Sequence, residues 1–192
     1  MTTLSTFFFA AFFVIAVTMY IALPLLVLVH ELGHAVTPLR AGRRVYVSVG
    51  RQPSLLAFEV GGLTLSINPL LEPVPEQRGT EDVGGFCEFN ATGMTVAQCR
   101  ATISAGPWAE TLLAIALGLG AMAVGDVGSV AFWCLAIGSL AGLVHSALNF
   151  APWRSQSDGW VLSQLRGHPA SAVIRADSAI PAFGVRRHPP AP

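Results

Sequence analysis

Three ionisable residues, His30, Glu31 and His34, form a His-Glu-x-x-His sequence at the end of an apolar stretch. On a helix, residues four apart project from the same face, one turn above the other. Two imidazoles in that arrangement can bind a zinc ion, and the intervening glutamate reaches a water molecule on the open side of the metal. The spacing therefore predicts a metal site in which Glu31 faces the water.

The residues before this motif are apolar. Residues 7–29 contain no charged side chain and are long enough to cross a bilayer, which places the motif within or just beneath a membrane. Ionisable side chains are costly there and are interpreted as functional. The alternative is a buried, hydrogen-bonded histidine pair with Glu31 satisfied by a neighbour. It suits a lone histidine better than it suits three such residues at this spacing.

Composition points to the same environment. The chain has 192 residues, of which 53% are hydrophobic and 11% charged, and its mean hydropathy is +0.59. These values indicate an integral membrane protein, and the net charge of zero argues against a nucleic-acid partner. The three cysteines are unpatterned, so we expect neither a disulfide framework nor a cysteine zinc site. The N-terminal apolar run is too long for a secretory signal and is interpreted as a transmembrane helix.

Three apolar runs predict membrane-spanning helices over about residues 7–37, 108–124 and 130–150. Residues 45–89, between the first two, form a strand-rich insert in which Gly61-Gly62 is a hairpin turn. Its strands are predicted at residues 45–49, 56–60, 63–67 and 84–89. We therefore predict an α-helical integral membrane protein with three core transmembrane helices and a small strand-rich insert at the cytoplasmic membrane boundary.

The arginines predict the orientation of these helices. Every arginine lies either between residues 40 and 100 or between residues 154 and 187. By the positive-inside rule, we expect a multi-pass protein of the cell membrane with its N-terminus outside and its C-terminus in the cytoplasm. Residues 1–166 would form the core, and residues 167–192, rich in proline, alanine and arginine, a disordered cytoplasmic tail.

Two histidines do not complete a zinc site, which usually has a third protein ligand and a water molecule. Asp158 is the best candidate, because it follows the third apolar run at the same membrane boundary and precedes a glycine. Glu59 lies in a predicted strand, and Glu110 begins the second run, where a helix N-terminus favours an acid in any case. His145 has either a structural role or a supporting role beside the metal ligands.

These features together resemble the site-2 protease family of intramembrane zinc metalloproteases. The resemblance covers the chain up to about Leu165 and rests on four features in order. They are His30-Glu31-Leu32-Gly33-His34 on the first helix, a strand-rich insert ending in Gly84-Gly85-Phe86, then Ala105-Gly106-Pro107, and finally Asn149 through Pro152 to Asp158-Gly159.

The resemblance implies that His30, His34 and Asp158 bind Zn2+ and that Glu31 is the general base. Asn149 would position the substrate carbonyl or stabilise its oxyanion. The family cleaves transmembrane helices of other proteins.

Two features differ from the usual family pattern. Glu110 lies where the family usually has asparagine, and residues 153–157 are polar where the family is rich in leucine and proline.

We expect a zinc-dependent intramembrane endopeptidase that acts on a membrane protein or membrane peptide within the lipid bilayer. A helical substrate must unwind, and an exposed strand of the insert, such as the one containing Leu65, would bind it by β-augmentation. Alternatively, the strands only pack over the cytoplasmic mouth of the site. The rival function is a non-catalytic membrane protein of the same fold that binds and regulates a partner helix. The intact Glu31 argues against it, since a binder needs no base.

Overall fold

The computed structural model of the chain describes residues 2–50, 54–68, 84–154 and 157–175. It begins with α1 (Thr2–Val17), a π-helical turn (Thr18–Ala22) and α2 (Leu23–Arg40). The wider turn lies directly before Pro24, whose ring lacks the backbone donor of an α-helix. The His-Glu-x-x-His motif lies in α2.

The insert is a four-stranded sheet with strand order β2-β3-β1-β4. The strands are β1 (Val45–Val49), β2 (Leu56–Val60), β3 (Leu63–Ile67) and β4 (Gly85–Phe89), close to the predicted bounds. β1 pairs in parallel with β3 and antiparallel with β4, and β2 pairs antiparallel with β3. Gly61 and Gly62 both have positive φ, which a two-residue hairpin turn requires. Residues 51–53 and 69–83 of the insert lie outside the described residues.

The expectation that Leu65 lies on an exposed docking strand is wrong. Leu65 lies in β3, where it pairs with Val47 on one side and Phe58 on the other. Its residue exposure is 5%. Among the described strands, the edges of the sheet are β2 and β4.

The second long helix, α3 (Val96–Val124), begins earlier than residue 108, where its apolar run starts. Thr95 caps it: its hydroxyl accepts from the Gln98 N–H at 3.2 Å, and the Gln98 side chain accepts from the Thr95 N–H at 2.8 Å. Glu110, expected near a helix N-terminus, therefore lies in the helix interior. The dipole at the N-terminus does not act there, so Glu110 needs another explanation.

Two further helices follow. α4 (Val130–Asn149) matches the third predicted run, and α5 (Asp158–Leu165) begins at the proposed third ligand. Arg100 of α3 donates to the carbonyl oxygen of Leu165 at 2.7 Å, which ties the end of α5 to α3.

Residues 167–175, expected to be part of a disordered tail, pack against the start of α3. Val173 forms an antiparallel bridge with Thr95, and the Ile174 N–H donates to the carbonyl oxygen of Met94 at 2.8 Å. Ile174 is buried, because it joins the apolar core described next. Residues 176–192 lie outside the described residues.

The largest apolar core lies under the sheet, between α2, β1 and the first half of α3. It is composed mostly of valine from β1 and of residues from 89 to 103. Within the described residues, three helical stretches are long and apolar enough to cross a membrane: Ser5–Arg40, Val96–Val124 and Val130–Asn149. The proposed ligands lie where this core meets the apolar helices.

Candidate metal centre

His30, His34 and Asp158 come together although α2 and α5 are far apart in sequence. Asp158 Oδ2 lies 3.1 Å from His30 Nε2, and Asp158 Oδ1 lies 3.4 Å from His34 Nε2. The two Nε2 atoms are 3.1 Å apart, and the two rings are almost perpendicular, at 82°. Three potential ligand atoms therefore converge between α2 and α5.

The other nitrogen of each imidazole is bonded to an acceptor. His30 Nδ1 lies 3.0 Å from Oε2 of Glu110, and His34 Nδ1 lies 2.8 Å from the backbone carbonyl oxygen of Thr102. A carbonyl oxygen and an ionised carboxylate cannot donate, so each Nδ1 carries the proton and donates it. In the neutral imidazoles, both Nε2 atoms then present lone pairs to Asp158 and to each other.

This donor set fits a zinc ion. When both imidazoles are neutral, their lone pairs and the carboxylate have no proton to share, and a cation placed among them balances the charge. Ligand atoms about 2.0–2.1 Å from a tetrahedral zinc ion are about 3.3 Å apart. The separations here are 3.1–3.4 Å, two of them measured to different oxygens of Asp158. Three protein ligands also leave a fourth position for water or substrate, as in catalytic zinc sites.

Asp158 is fixed at the start of α5 by its two neighbours. The Ser157 hydroxyl donates to the carbonyl oxygen of Ala151 at 2.7 Å and accepts from the N–H of Trp160 at 3.2 Å. A Cβ at position 159 would overlap the carbonyl oxygen of Phe150. Ser157, in the unusual polar segment, is therefore the N-cap of α5.

Burial alone would raise the pKa of the Asp158 carboxyl group. When they are protonated, the neighbouring imidazoles of His34 and His30 attract its charge and donate hydrogen bonds to it, and together they hold the pKa of Asp158 well below its ordinary value. Asp158 is therefore ionised at neutral pH, as a metal ligand must be.

Two glycines allow α2 and α3 to approach closely at the site. A Cβ at Gly33 would lie 2.5 Å from the carbonyl oxygen of Ala105, and a Cβ at Gly106 would collide with the ring of His34. The close approach brings the Thr102 carbonyl within reach of His34. Gly33 and Gly106 were part of the motifs in the sequence without an assigned role. The structure shows that they position His34, one of the proposed ligands.

Glu31 belongs to α2, and its side chain lies beside the edge strand β4. The residue is 9% exposed. A Cβ at Gly85, the first residue of β4, would lie 3.1 Å from Glu31 Oε1 and 2.5 Å from Val27 Cγ1. Glycine therefore allows the strand to pass directly beside the carboxylate. Cys87, further along β4, belongs to neither cluster of potential metal ligands that the described residues form, and burial together with the charge of Glu31 raises the pKa of its thiol.

The other candidate ligands lie elsewhere. Glu59 is exposed on β2 and belongs to neither cluster of potential metal ligands that the described residues form. Glu110 contacts His30 at Nδ1, whereas Asp158 faces Nε2 of the same ring. The second oxygen of Glu110 accepts from His145 Nδ1 at 2.7 Å. Asn149, one turn beyond on α4, has its Nδ2 3.4 Å from the same nitrogen of His145.

Sequence reasoning missed the partners that orient the two histidines. The Thr102 carbonyl is a backbone atom with no signature in the sequence. Glu110 did have a signal, a carboxylate within an apolar stretch, which membrane proteins rarely tolerate without a partner.

Comparison with known proteins supports a family assignment. No curated protein matches the chain. The sequence model described as peptidase family M50 matches residues 18–180, which include every proposed ligand, Glu31 and Asn149. The chain therefore belongs to peptidase family M50, the site-2 protease family.

Proposed function

We propose that this protein is a zinc-dependent endopeptidase that hydrolyses a peptide bond in or near a transmembrane segment of another membrane protein or membrane peptide. The observation that carries the proposal is the convergence of His30 Nε2, His34 Nε2 and Asp158 beside Glu31. Membership of family M50 supports the same reaction class.

The protein groups have separate tasks in this reaction. Bound zinc supplies a Lewis acid that activates water and polarises the peptide carbonyl. His30, His34 and Asp158 hold the ion through three lone pairs. Glu31 accepts the proton of the attacking water and returns it to the leaving amine, a transfer that keeps one base in use through the whole reaction.

Asn149 would act on the substrate carbonyl, and its hydrogen bonding supports this role. Its amide nitrogen lies 3.4 Å from His145 Nδ1, but that nitrogen donates its proton to Glu110 at 2.7 Å and so cannot accept another. The Asn149 amide therefore keeps its donor for a further acceptor. We assign it to the carbonyl oxygen on which negative charge develops.

The substrate must reach the site as an extended segment, because a peptide bond within a helix is shielded by its neighbouring turns. β4 is the sheet edge beside Glu31. A segment docked along β4 by β-augmentation would pass the base and the metal ligands together. This assignment replaces the strand of Leu65 as the docking strand.

The variant Glu31→Gln tests the proposal. Glutamine keeps the size of the side chain but cannot accept the proton of water at neutral pH. We expect zinc content to remain at wild-type level while cleavage of a co-expressed single-span substrate falls by about a hundred- to ten-thousand-fold. Metal analysis of the purified protein and immunoblots of the substrate measure the two effects.

Glu59→Gln is the matched control, since it makes the same chemical change on exposed β2. It should leave both measurements unchanged. Wild-type cleavage by Glu31→Gln contradicts the proposed base. No cleavage by wild type over a broad substrate panel, with a partner protein bound equally by wild type and Glu31→Gln, supports the regulatory binder instead.

A further inference from the structure

Glu110 lies in the interior of α3 and its side chain is fully buried, with 0% exposure. Both of its carboxylate oxygens are used. Oε2 accepts from His30 Nδ1 at 3.0 Å and Oε1 accepts from His145 Nδ1 at 2.7 Å. One side chain thus joins a proposed ligand on α2 to a histidine on α4.

This arrangement requires a carboxylate rather than an amide. Two N–H donors face position 110, and a carboxylate offers an acceptor to each. Asparagine or glutamine offers one acceptor and one donor, so one of the two histidines would face an N–H group. The carboxylate at position 110 and the histidine at position 145 are therefore a chemically matched pair.

The buried charge of the Glu110 carboxylate must be compensated by hydrogen bonds. A carboxylate in an apolar helix is costly unless it is hydrogen-bonded on both oxygens. His30 is itself buried, whereas the side chain of His145 is 38% exposed. The Glu110 bridge therefore runs from the buried metal ligand to the partly open side of α4, where Asn149 lies one turn away.

We propose that Glu110 is a positioning residue that fixes His30 as the Nδ1–H tautomer for metal binding and sets His145, and through it the end of α4, in the same hydrogen-bonded unit. The inference rests on the zinc site proposed above. It assigns to Glu110 a role beyond the ligands and the base, and it makes His145 the residue through which α4 is linked to the metal ligands.

A different reading of the same atoms is a second metal site. His30, Glu110 and His145 offer ligand atoms within 4.8 Å of one another. His30 would then have to bind metal through both ring nitrogens and lose its Nδ1 proton. The two separations of 2.7 and 3.0 Å are ordinary for imidazole–carboxylate hydrogen bonds, so we favour the hydrogen-bonded unit.

The first test measures zinc affinity of the full chain by chelator competition. Glu110→Gln removes the negative charge that makes His30 a stronger ligand. The charge is lost whether the amide presents its oxygen or its nitrogen to His30. We expect zinc affinity to fall by about 10- to 100-fold, as for other carboxylates that orient a metal-binding histidine. Thr111→Val is the matched control: Thr111 is adjacent on α3 and bonds to Ser146 of α4, but it contacts neither histidine among its described bonds.

Nitrogen NMR of protein labelled with 15N-histidine tests the same claim without relying on zinc or on cleavage. His30 and His145 should each show a protonated, hydrogen-bonded Nδ1, and His145→Ala assigns one of the signals. Glu110→Gln should shift both, and Thr111→Val neither. Unchanged signals in Glu110→Gln overturn the inference, even if wild type proves to bind no zinc and the proposed function fails.

A double-mutant cycle at saturating zinc tests the coupling to α4. If Glu110 acts through His145, the cleavage rate of Glu110→Gln/His145→Ala should be no lower than that of the slower single variant. If the effects of the two substitutions on the cleavage rate multiply, Glu110 and His145 act independently, and the proposed coupling is overturned. Wild type with two zinc ions per chain, one of them lost in His145→Ala, overturns the hydrogen-bonded unit in favour of the second metal site. A zinc affinity in Thr111→Val as low as in Glu110→Gln means general loosening of α3 and α4, and also overturns the inference.

Discussion

A histidine that binds a metal through one ring nitrogen must have the proton on the other. In this chain a carboxylate holds that proton for His30 and a backbone carbonyl holds it for His34. The difference has a chemical effect, because only His30 has a charged partner at Nδ1. The orientation of both rings is set by α3, although both proposed ligands lie on α2.

Alanine at any one of His30, His34 or Asp158 should reduce zinc from about one ion per chain to near none. Two remaining protein ligands are too few to hold the ion firmly. Metal analysis of purified variants checks this, with Glu59→Ala as an exposed carboxylate control that keeps full zinc content. Full zinc content in Asp158→Ala would mean that the third ligand is a different residue.

At the scale of elements, close backbone approaches position the site. Gly33 and Gly106 bring α2 against α3, and Gly159 brings α5 against the end of α4. These contacts leave no room for a methyl group. A small change in packing at these glycines therefore moves a proposed metal ligand.

Gly159→Ala should therefore weaken zinc binding, because the new Cβ would overlap the carbonyl oxygen of Phe150 and move Asp158 with α5. We expect a loss of zinc affinity, measured by chelator competition, with the helical circular dichroism of the protein retained. Gly167→Ala is the control, since a Cβ there meets nothing within 4 Å. Equal zinc affinity in the two variants would show that α5 can shift without cost.

The elements were predictable where their signals are local. Gly61-Gly62 between two β-rich runs was enough to predict β2 and β3, and the His-Glu-x-x-His spacing predicted one face of α2. The start of α3 was predictable too, from the Thr95–Gln98 capping box, but the apolar run that begins later concealed it. The pairing of Glu110 with two histidines was not predictable from the sequence, because it depends on how three helices pack.

At the scale of the whole molecule, three apolar helical stretches lie beside a sheet and an apolar core that continue from α2 and the start of α3. The arginines lie either between residues 40 and 100 or after α4. We therefore keep the orientation with the N-terminus outside and the C-terminus cytoplasmic as a prediction.

Reporter fusions check this orientation. A reporter after Leu165 should be cytoplasmic and one inserted near Asp126, in the turn between α3 and α4, should be outside. A third reporter, inserted between residues 70 and 82 of the insert, should agree with the first. The reverse pattern would place the metal centre at the opposite membrane face.

The proposed ligands come from residues 30, 34 and 158, close to the two ends of the matched region. During synthesis the two histidines and Glu31 enter the membrane early, whereas Asp158 follows only after α3 and α4 have been made. A growing chain thus carries the base and two ligands without a complete metal centre. Under the proposed function, hydrolysis would therefore begin only after α5 has emerged and docked, so the order of the ligands along the chain would delay the reaction until the last ligand is in place.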